Sequence, residues 1–276
     1  MMDVTFWGVR GSLPCSSPDH VRYGGNTSCV SVRCGSLNLV FDAGTGIRQY
    51  GQWLSKQENH QVALLLSHTH WDHINGFPFF SPAYDPRFNI AIYAGHLKSQ
   101  GMSVKQVLES QMTAPTFPIA MSTMSSTLSF TDFIAGDTII IAPSVEVKTV
   151  NLNHPNQATG YRLNYQGSSV CYVTDTEHHP GSINENILNL IAGADLVIYD
   201  CTYTDQEFPA RVSWGHSTWQ EGVRLCRAGE AKRLAIFHHD PDHDDGFMDE
   251  VSRSAEQMWP GAFVAKEGMT LSFSKA

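Results

Sequence analysis

Three imidazoles and one carboxylate fall within six consecutive residues of the chain, His68-Thr69-His70-Trp71-Asp72-His73, directly after the apolar run Gln61–Leu66 and Ser67. His68 and His70 are two apart, so on an extended stretch they point to the same side. Asp72 and His73 follow where a turn or helix can curl the chain back, so four ligand-type groups can face one small volume. Neutral imidazole with carboxylate suits zinc, manganese or iron better than magnesium or calcium. Further along, His154, Asp175, Asp200 and His238 each stand at or shortly after the end of a short apolar stretch, and Asp42 opens the turn Asp42-Ala43-Gly44-Thr45-Gly46. Polar groups carried on loops at strand ends are the usual layout of an active site built from strands and helices.

The elements that must position them are legible as alternating or β-branched runs and as helical periods. Strands are expected at Thr5–Val9, Ser28–Arg33, Leu37–Phe41, Gln61–Leu66, Ile139–Ala142, Val145–Val150, Ser169–Thr174, Leu196–Tyr199 and Leu234–Phe237. Helices are expected at Ile47–Gln57, Lys105–Gln111, Ile183–Ile191, Thr218–Ala228 and Phe247–Met258, with Ser217 as a cap of the fourth. The segment Phe77–Phe130 differs in character: it holds five prolines and four methionines and few long periodic stretches. It reads as a surface insertion with its own small cluster, or as a lid or homodimer contact beside the site.

The chain of 276 residues can bury a sizeable core and fits one large domain or two small ones. A formal charge of −9 gives no global field for a long polyanion, so extended nucleic-acid binding is disfavoured while a small anionic substrate remains open. No apolar run approaches a membrane span, no signal peptide is visible, and the six cysteines show no CxxC pair. These features together indicate a cytoplasmic protein with reduced thiols.

The metal-ligand pattern resembles the metallo-β-lactamase fold superfamily. His68, His70, Asp72 and His73 match its central motif, Asp42 in FDAGTG its early acidic motif, His154 in LNHP its single histidine, Asp175 in VTDTE its bridging aspartate, and His238 in FHHDP its last histidine. The resemblance implies an αββα sandwich over residues 1–276, with a dinuclear site at one edge. It implies that His68, His70 and His154 hold one divalent ion and Asp72, His73 and His238 the other. Asp175 would bridge the two, with the attacking water or hydroxide between them. Zinc is the expected metal, with manganese and iron as alternatives. Asp42 would fix the tautomer of a ligand histidine.

Several histidines carry other readings. His238 and His239 are adjacent, only one can face the site, and the first is preferred because it follows the strand directly. His178 and His179, beside Pro180, read as exposed loop imidazoles. His243 stands in a solvated acidic run, and His20, His60 and His96 are lone and structural or exposed.

Two further segments narrow the branch. Tyr199-Asp200-Cys201-Thr202 and Gly215-His216-Ser217-Thr218 resemble paired motifs of the ribonuclease Z–like phosphodiesterases, with Asp200 where that family often has Glu. The pair implies a general acid, His216, oriented by Asp200, which would protonate the leaving alkoxide of a phosphodiester. The N-terminal FWGVRGSLP…RYGGNTSCV resembles the same branch, and its glycines suggest turns that bring Asn26 or Thr27 near the metals. The transfer-RNA-gripping arm of ribonuclease Z lies between the single histidine and the bridging aspartate. Here that interval is only 175 − 154 = 21 residues. The expected activity is hydrolysis of a small phosphodiester such as a cyclic nucleotide. A ribonuclease acting on RNA 3′ ends, a thioester or lactone metallo-hydrolase, and a silent nucleotide sensor are the rivals.

Overall fold

The computed structural model describes residues 1–143 and 145–274. In chain order the first half supplies β1 (Met2–Gly8), β2 (Cys29–Cys34), β3 (Leu37–Phe41), α1 (Ile47–Leu54), β4 (Gln61–Leu66), α2 (Trp71–Ile74), β5 (Asn89–Ala94), α3 (Val104–Gln111) and β6 (Thr127–Asp132). The rest supplies β7 (Thr138–Ala142), β8 (Val145–Leu152), β9 (Ala158–Tyr165), β10 (Ser168–Val173), α4 (Glu185–Ile191), β11 (Leu196–Asp200), α5 (Trp219–Ala228), β12 (Leu234–Phe237), α6 (Asp245–Met258), β13 (Ala262–Val264) and β14 (Thr270–Phe273).

The described residues form two seven-stranded sheets, ordered β14-β1-β2-β3-β4-β5-β6 and β13-β12-β11-β10-β9-β8-β7. In each, one half is antiparallel and the other parallel: β3 to β6 in the first sheet, β10 to β13 in the second. The burial patterns follow. Strand β1 alternates, with Met2, Val4 and Phe6 turned inward. The central parallel strands β10, β11 and β12 are buried at every residue, as strands covered on both faces must be.

Apolar residues fall into three layers of core. Val4, Phe6, Phe41, Leu65, Tyr172, Ile198 and Phe237 lie between the sheets. Helices α4, α5 and α6 cover the outer face of the second sheet through Ile187, Val223, Leu225 and Val251. The outer face of the first is covered by α1, α3 and two 3-10 turns, through Ile47, Tyr50, Phe77, Phe80 and Leu108. The order is helix, sheet, sheet, helix, as the sequence resemblance implies.

The reading of Phe77–Phe130 as an insertion is corrected. The segment contributes β5 and β6 to the first sheet and buries Phe77, Phe80, Phe88, Met112, Met121 and Met124 against α1 and β4. Its short turns hide a core layer because its apolar groups are spaced for turns, not for a helical or strand period. Strands β9, β13 and β14 also lie outside the expected set, and the cap of α5 is Thr218, whose Oγ1 accepts from the Glu221 amide at 3.1 Å. Ser217 is instead drawn inward, bonded to His178 and Tyr199.

Candidate metal centre and its cleft

Strands β3, β4, β8, β10, β11 and β12 run toward one edge of the sandwich, and the site is assembled from the residues just past their ends. Three of these residues leave their strand in the left-handed region: Asp42 (φ 58°), Asp175 (φ 59°) and His238 (φ 62°). Such a conformation is strained for a residue with a side chain and is held only where its surroundings fix it. Here it turns each side chain from the sheet edge into the gap between the sheets.

Two sets of ligand atoms result. His68, His70 and His154 converge, with His154 Nε2 3.1 Å from His70 Nδ1. Asp72, His73 and His238 converge beside them, with His238 Nε2 3.3 Å from both His73 Nε2 and Asp72 Oδ2. Asp175 lies between. Its Oδ2 is 3.7 Å from His68 Nε2 and 3.6 Å from His154 Nε2, while its Oδ1 is 3.2 Å from His73 Nε2 and 3.3 Å from His238 Nε2. Each oxygen of one carboxylate thus faces a different set.

The far nitrogen of most of these rings is tied as a donor, which leaves the inward nitrogen bare. His73 Nδ1 donates to Asp42 Oδ2 at 2.8 Å, and His154 Nδ1 to the Gly215 carbonyl at 2.8 Å. Ser67 Oγ donates to Asp42 and lies 3.1 Å from His68 Nδ1, and Thr202 Oγ1 donates to Asp200 and lies 3.0 Å from His238 Nδ1. Asp42 also accepts from the Ser67 amide and the Tyr172 hydroxyl. Bare nitrogens about 3 Å apart repel unless a cation lies between them, and His68 Nε2 is buried with no hydrogen-bond partner. The residues therefore fit two divalent ions, and the tied nitrogens are the arrangement that orients metal-binding imidazoles.

Electrostatics agree. Burial holds His68 well below the ordinary imidazole range and lowers His70 and His154. Burial alone would raise the carboxyls of Asp72 and Asp175, but the imidazoles around them, His73 and His238 above all, hold both well below their usual value. Burial likewise opposes charge on His73, yet Asp72, Asp175 and Asp42 raise it well above its usual value, so that pocket attracts positive charge.

His216 and Asp200 form a separate pair at the rim. His216 Nδ1 donates to Asp200 Oδ2 at 3.0 Å, and its Nε2 makes no hydrogen bond among the described residues. Asp200 is fully buried and also accepts from the Thr176 amide and Thr202. Burial would depress His216, but the charge and hydrogen bond of Asp200, with Asp175 and Asp72 behind it, raise it to about 9. Its ring stacks on His238 at 4.9 Å and lies 5.4 Å from His154.

The structure separates the remaining histidines. His239 is buried away from the site, with Nε2 donating to the Ala265 carbonyl. His178 is corrected from an exposed loop group: it stacks on Phe208 at 4.1 Å and bonds Ser217, whereas His179 is exposed. His243 is buried, paired with Glu207 at 2.8 Å and stacked on Phe247. His96 is buried behind Thr69. His20 bonds Ser17 and the Pro241 carbonyl, and His60 packs on Phe88.

Asn26 and Thr27 do not reach the ligands. Asn26 bonds Glu267, and Thr27 Oγ1 bonds the Thr45 amide. The N-terminal residues that do reach them are Gly11 and Ser12. A Cβ on Gly11 would lie 2.3 Å from the His238 ring, and the Ser12 amide donates to Asp72 Oδ2 at 2.8 Å. Thr202 and Gly215, the anchors of His238 and His154, lie outside the sequence-predicted site residues. Their signal was adjacency, two residues past Asp200 and one before His216.

Residues 37–239 match a family described as the beta-lactamase superfamily domain. The chain is 22% identical to Ribonuclease Z of Haloarcula marismortui, covering 97% of this chain and 96% of that protein. It is 25% identical to Ribonuclease Z of Metallosphaera sedula, covering 97% of each. Among solved structures, the metallo-beta-lactamase fold protein YhfI from Bacillus subtilis superposes with a TM-score of 0.73 at 20% identity, over 98% of both chains. A diphosphatase from the PhnP family gives 0.72 at 19% identity, over 99% of this chain and 98% of that one. Human tRNase Z, short form, gives 0.70 at 20% identity, over 99% of this chain and 100% of that one.

Proposed function

This chain belongs to the beta-lactamase superfamily, and from that premise we propose that it is a dinuclear metal-dependent phosphodiesterase whose substrate is a small diester, a cyclic nucleotide being the best fit. The observation that carries the reading is the Asp200–His216 pair, 3.0 Å apart and stacked against the ligand His238. His216 Nδ1 is 3.9 Å from Asp175 but is already tied to Asp200, so it serves better as an acid than as a ligand. His68, His70 and His154 would hold one ion, Asp72, His73 and His238 the other, and Asp175 both. Zinc suits this donor set, as do manganese and iron. When bound, two such ions supply an activated water and offset the charge that builds on the phosphate oxygens.

The chain's own residues do the rest. The water oxygen bonds to phosphorus as one of its protons passes to solvent, the ester P–O bond breaks, and His216 Nε2 gives its proton to the departing oxygen, so that a cyclic diester opens to one nucleotide carrying a phosphomonoester and a free hydroxyl. Asp200 holds the opposite nitrogen and favours the protonated ring that the step requires. Asp42, with Ser67, fixes the rings of His68 and His73.

A small substrate is supported by the interval from His154 to Asp175, which is filled by the hairpin β9–β10. All six cysteines are free thiols, which supports a reducing, cytoplasmic setting, and no helix among the described residues is long and apolar enough to cross a membrane. The full-length likeness to Ribonuclease Z favours one second reading, a ribonuclease acting on RNA 3′ ends. Salt separates them, because a long polyanion gives a steep dependence and a mononucleotide a shallow one.

The test is His216→Ala. It should keep its metal and lose roughly 10²–10⁴-fold on an alkyl diester, with a much smaller loss on a nitrophenyl diester whose leaving group needs no proton. Equal losses on both would make His216 a ligand support or a phosphate-positioning group. No loss on either would return the site to thioester or lactone hydrolysis.

A further inference from the structure

His216 faces two ways. It stacks on the ligand His238, and it lines an open cleft of about 490 Å³ bounded by Tyr203, Arg211, Trp214, Asp240 and Asp242. If His216 protonates the leaving oxygen, the group that carries that oxygen lies in this cleft. Its walls therefore describe the substrate.

One wall is a flat cationic shelf. The Arg211 guanidinium sits 4.8 Å from the Trp214 ring centre and 5.9 Å from that of Tyr203, and among the described residues it makes no ion pair. Tyr203 in turn meets the His216 ring edge-on at 6.1 Å. Trp214 is 58% exposed, an unusual burden for the largest apolar side chain beside a polar site. The loop that carries it is built to hold it there. Ser213 (φ 75°) and Gly215 (φ 87°) both adopt left-handed backbone. The Gly215 amide donates to Glu177, and its carbonyl accepts from the ligand His154. Trp214 is thus one residue from an anchor of the metal site and two from the acid.

The same cleft is also lined by Asp240 and Asp242. Their carboxylates repel any second phosphate but accept hydrogen bonds from amino groups. A planar, uncharged group with N–H donors suits this lining, as a nucleobase bearing an exocyclic amine does.

We propose that Trp214 and Arg211 form the subsite for the nucleoside carrying the leaving oxygen, with Trp214 as stacking platform and Asp240 and Asp242 as acceptors for its amino group. The substrate class is then a single-phosphate nucleotide diester with an amino-bearing base. The proposal rests on the phosphodiesterase reading above. Stacking on an aromatic platform is tolerant of sequence but lost on truncation to alanine.

The test measures binding of the product, adenosine 5′-monophosphate, to the metal-loaded protein by calorimetry, alongside turnover. Trp214→Ala should weaken binding by roughly 10-fold or more, and Trp214→Phe should restore most of it. The alanine variant should lose kcat/KM on adenosine 3′,5′-cyclic monophosphate through KM, yet keep its rate on methyl 4-nitrophenyl phosphate, which has no base. Inosine 5′-monophosphate, the same ring system without the amine, should bind more weakly than the adenosine nucleotide. Unchanged nucleotide binding in Trp214→Ala would overturn the subsite, even with turnover of diesters intact. Parallel loss on the base-free diester would also overturn it, by making Trp214 a support of the metal loop. Equal binding of the inosine nucleotide would remove the role of Asp240 and Asp242. Trp214-dependent nucleotide binding without turnover of any diester would keep the subsite and sink the phosphodiesterase reading instead.

Discussion

The two sheets feed one cleft by different means. The first contributes His68, His70, Asp72 and His73 from one short stretch after β4, a loop that runs into α2, and one buried carboxylate, Asp42, steadies both His73 and, through Ser67, His68. The second contributes its candidate ligands singly, His154 after β8, Asp175 after β10 and His238 after β12. The anchors of its two histidines are separate, the Gly215 carbonyl for His154 and Thr202 for His238. Four candidate ligands on one short loop-and-helix stretch keep their mutual geometry by local chain stiffness. Three ligands on three strands keep theirs only while the sheet register and the layer between the sheets are intact. That layer is bolted at the site itself, since Tyr172 and Tyr161 of the second sheet donate to Asp42 and to the Leu66 carbonyl of the first.

The comparison is broken most severely at Asp175, the candidate ligand whose two oxygens face the two sets. Asp175→Ala should remove both ions and lower turnover by several kcal/mol, roughly 10³-fold or more. His70→Ala should cost chiefly the ion of its own set. Metal analysis of the two purified variants checks this, and equal metal loss in both would mean that the sets do not fill independently.

Contrast in regularity explains what could be read beforehand. The HTHWDH loop is legible because its ligands are contiguous, and Asp42, Asp175, Asp200 and His238 because each follows a short apolar strand. The helices over the second sheet are legible too: α5 buries Trp219, Val223 and Cys226, and α6 buries Met248, Val251 and Ala255, both at helical spacing. The covering of the first sheet is not, because 3-10 turns at Phe77–Phe79 and Ser81–Tyr84 carry its apolar groups without a repeating period. Turn geometry depends on backbone angles that composition leaves open. The anchors Thr202 and Gly215 escaped for a different reason, since their roles exist only once β8, β11 and β12 are side by side.

That irregular covering is as much core as the helical one. Phe80 is fully buried and stacks on Tyr50 with ring centres 6.2 Å apart. Phe80→Ala should destabilise the protein by about 3–5 kcal/mol, seen as a lower urea midpoint, with metal content unchanged in buffer. A loss below about 1 kcal/mol would restore the separable insertion that the composition suggests.

The finest distinction lies in the anchors. Asp42 serves rings of both sets, so Asp42→Asn should weaken both ions. Thr202 accepts from His238 alone, so Thr202→Val, which keeps the shape and removes the hydroxyl, should weaken only the ion of Asp72, His73 and His238. Loss of such an outer partner typically costs roughly 10–100-fold in metal affinity. Thr202 also donates to Asp200, so His216 could lose some of its orientation in the same variant. A chelator titration resolves the two effects, because it reads the ions and not the acid. One affinity should fall while the other holds. If both fall together in Thr202→Val, the second sheet's ligands share their support as the first sheet's do, and the contrast between the halves is one of sequence spacing alone.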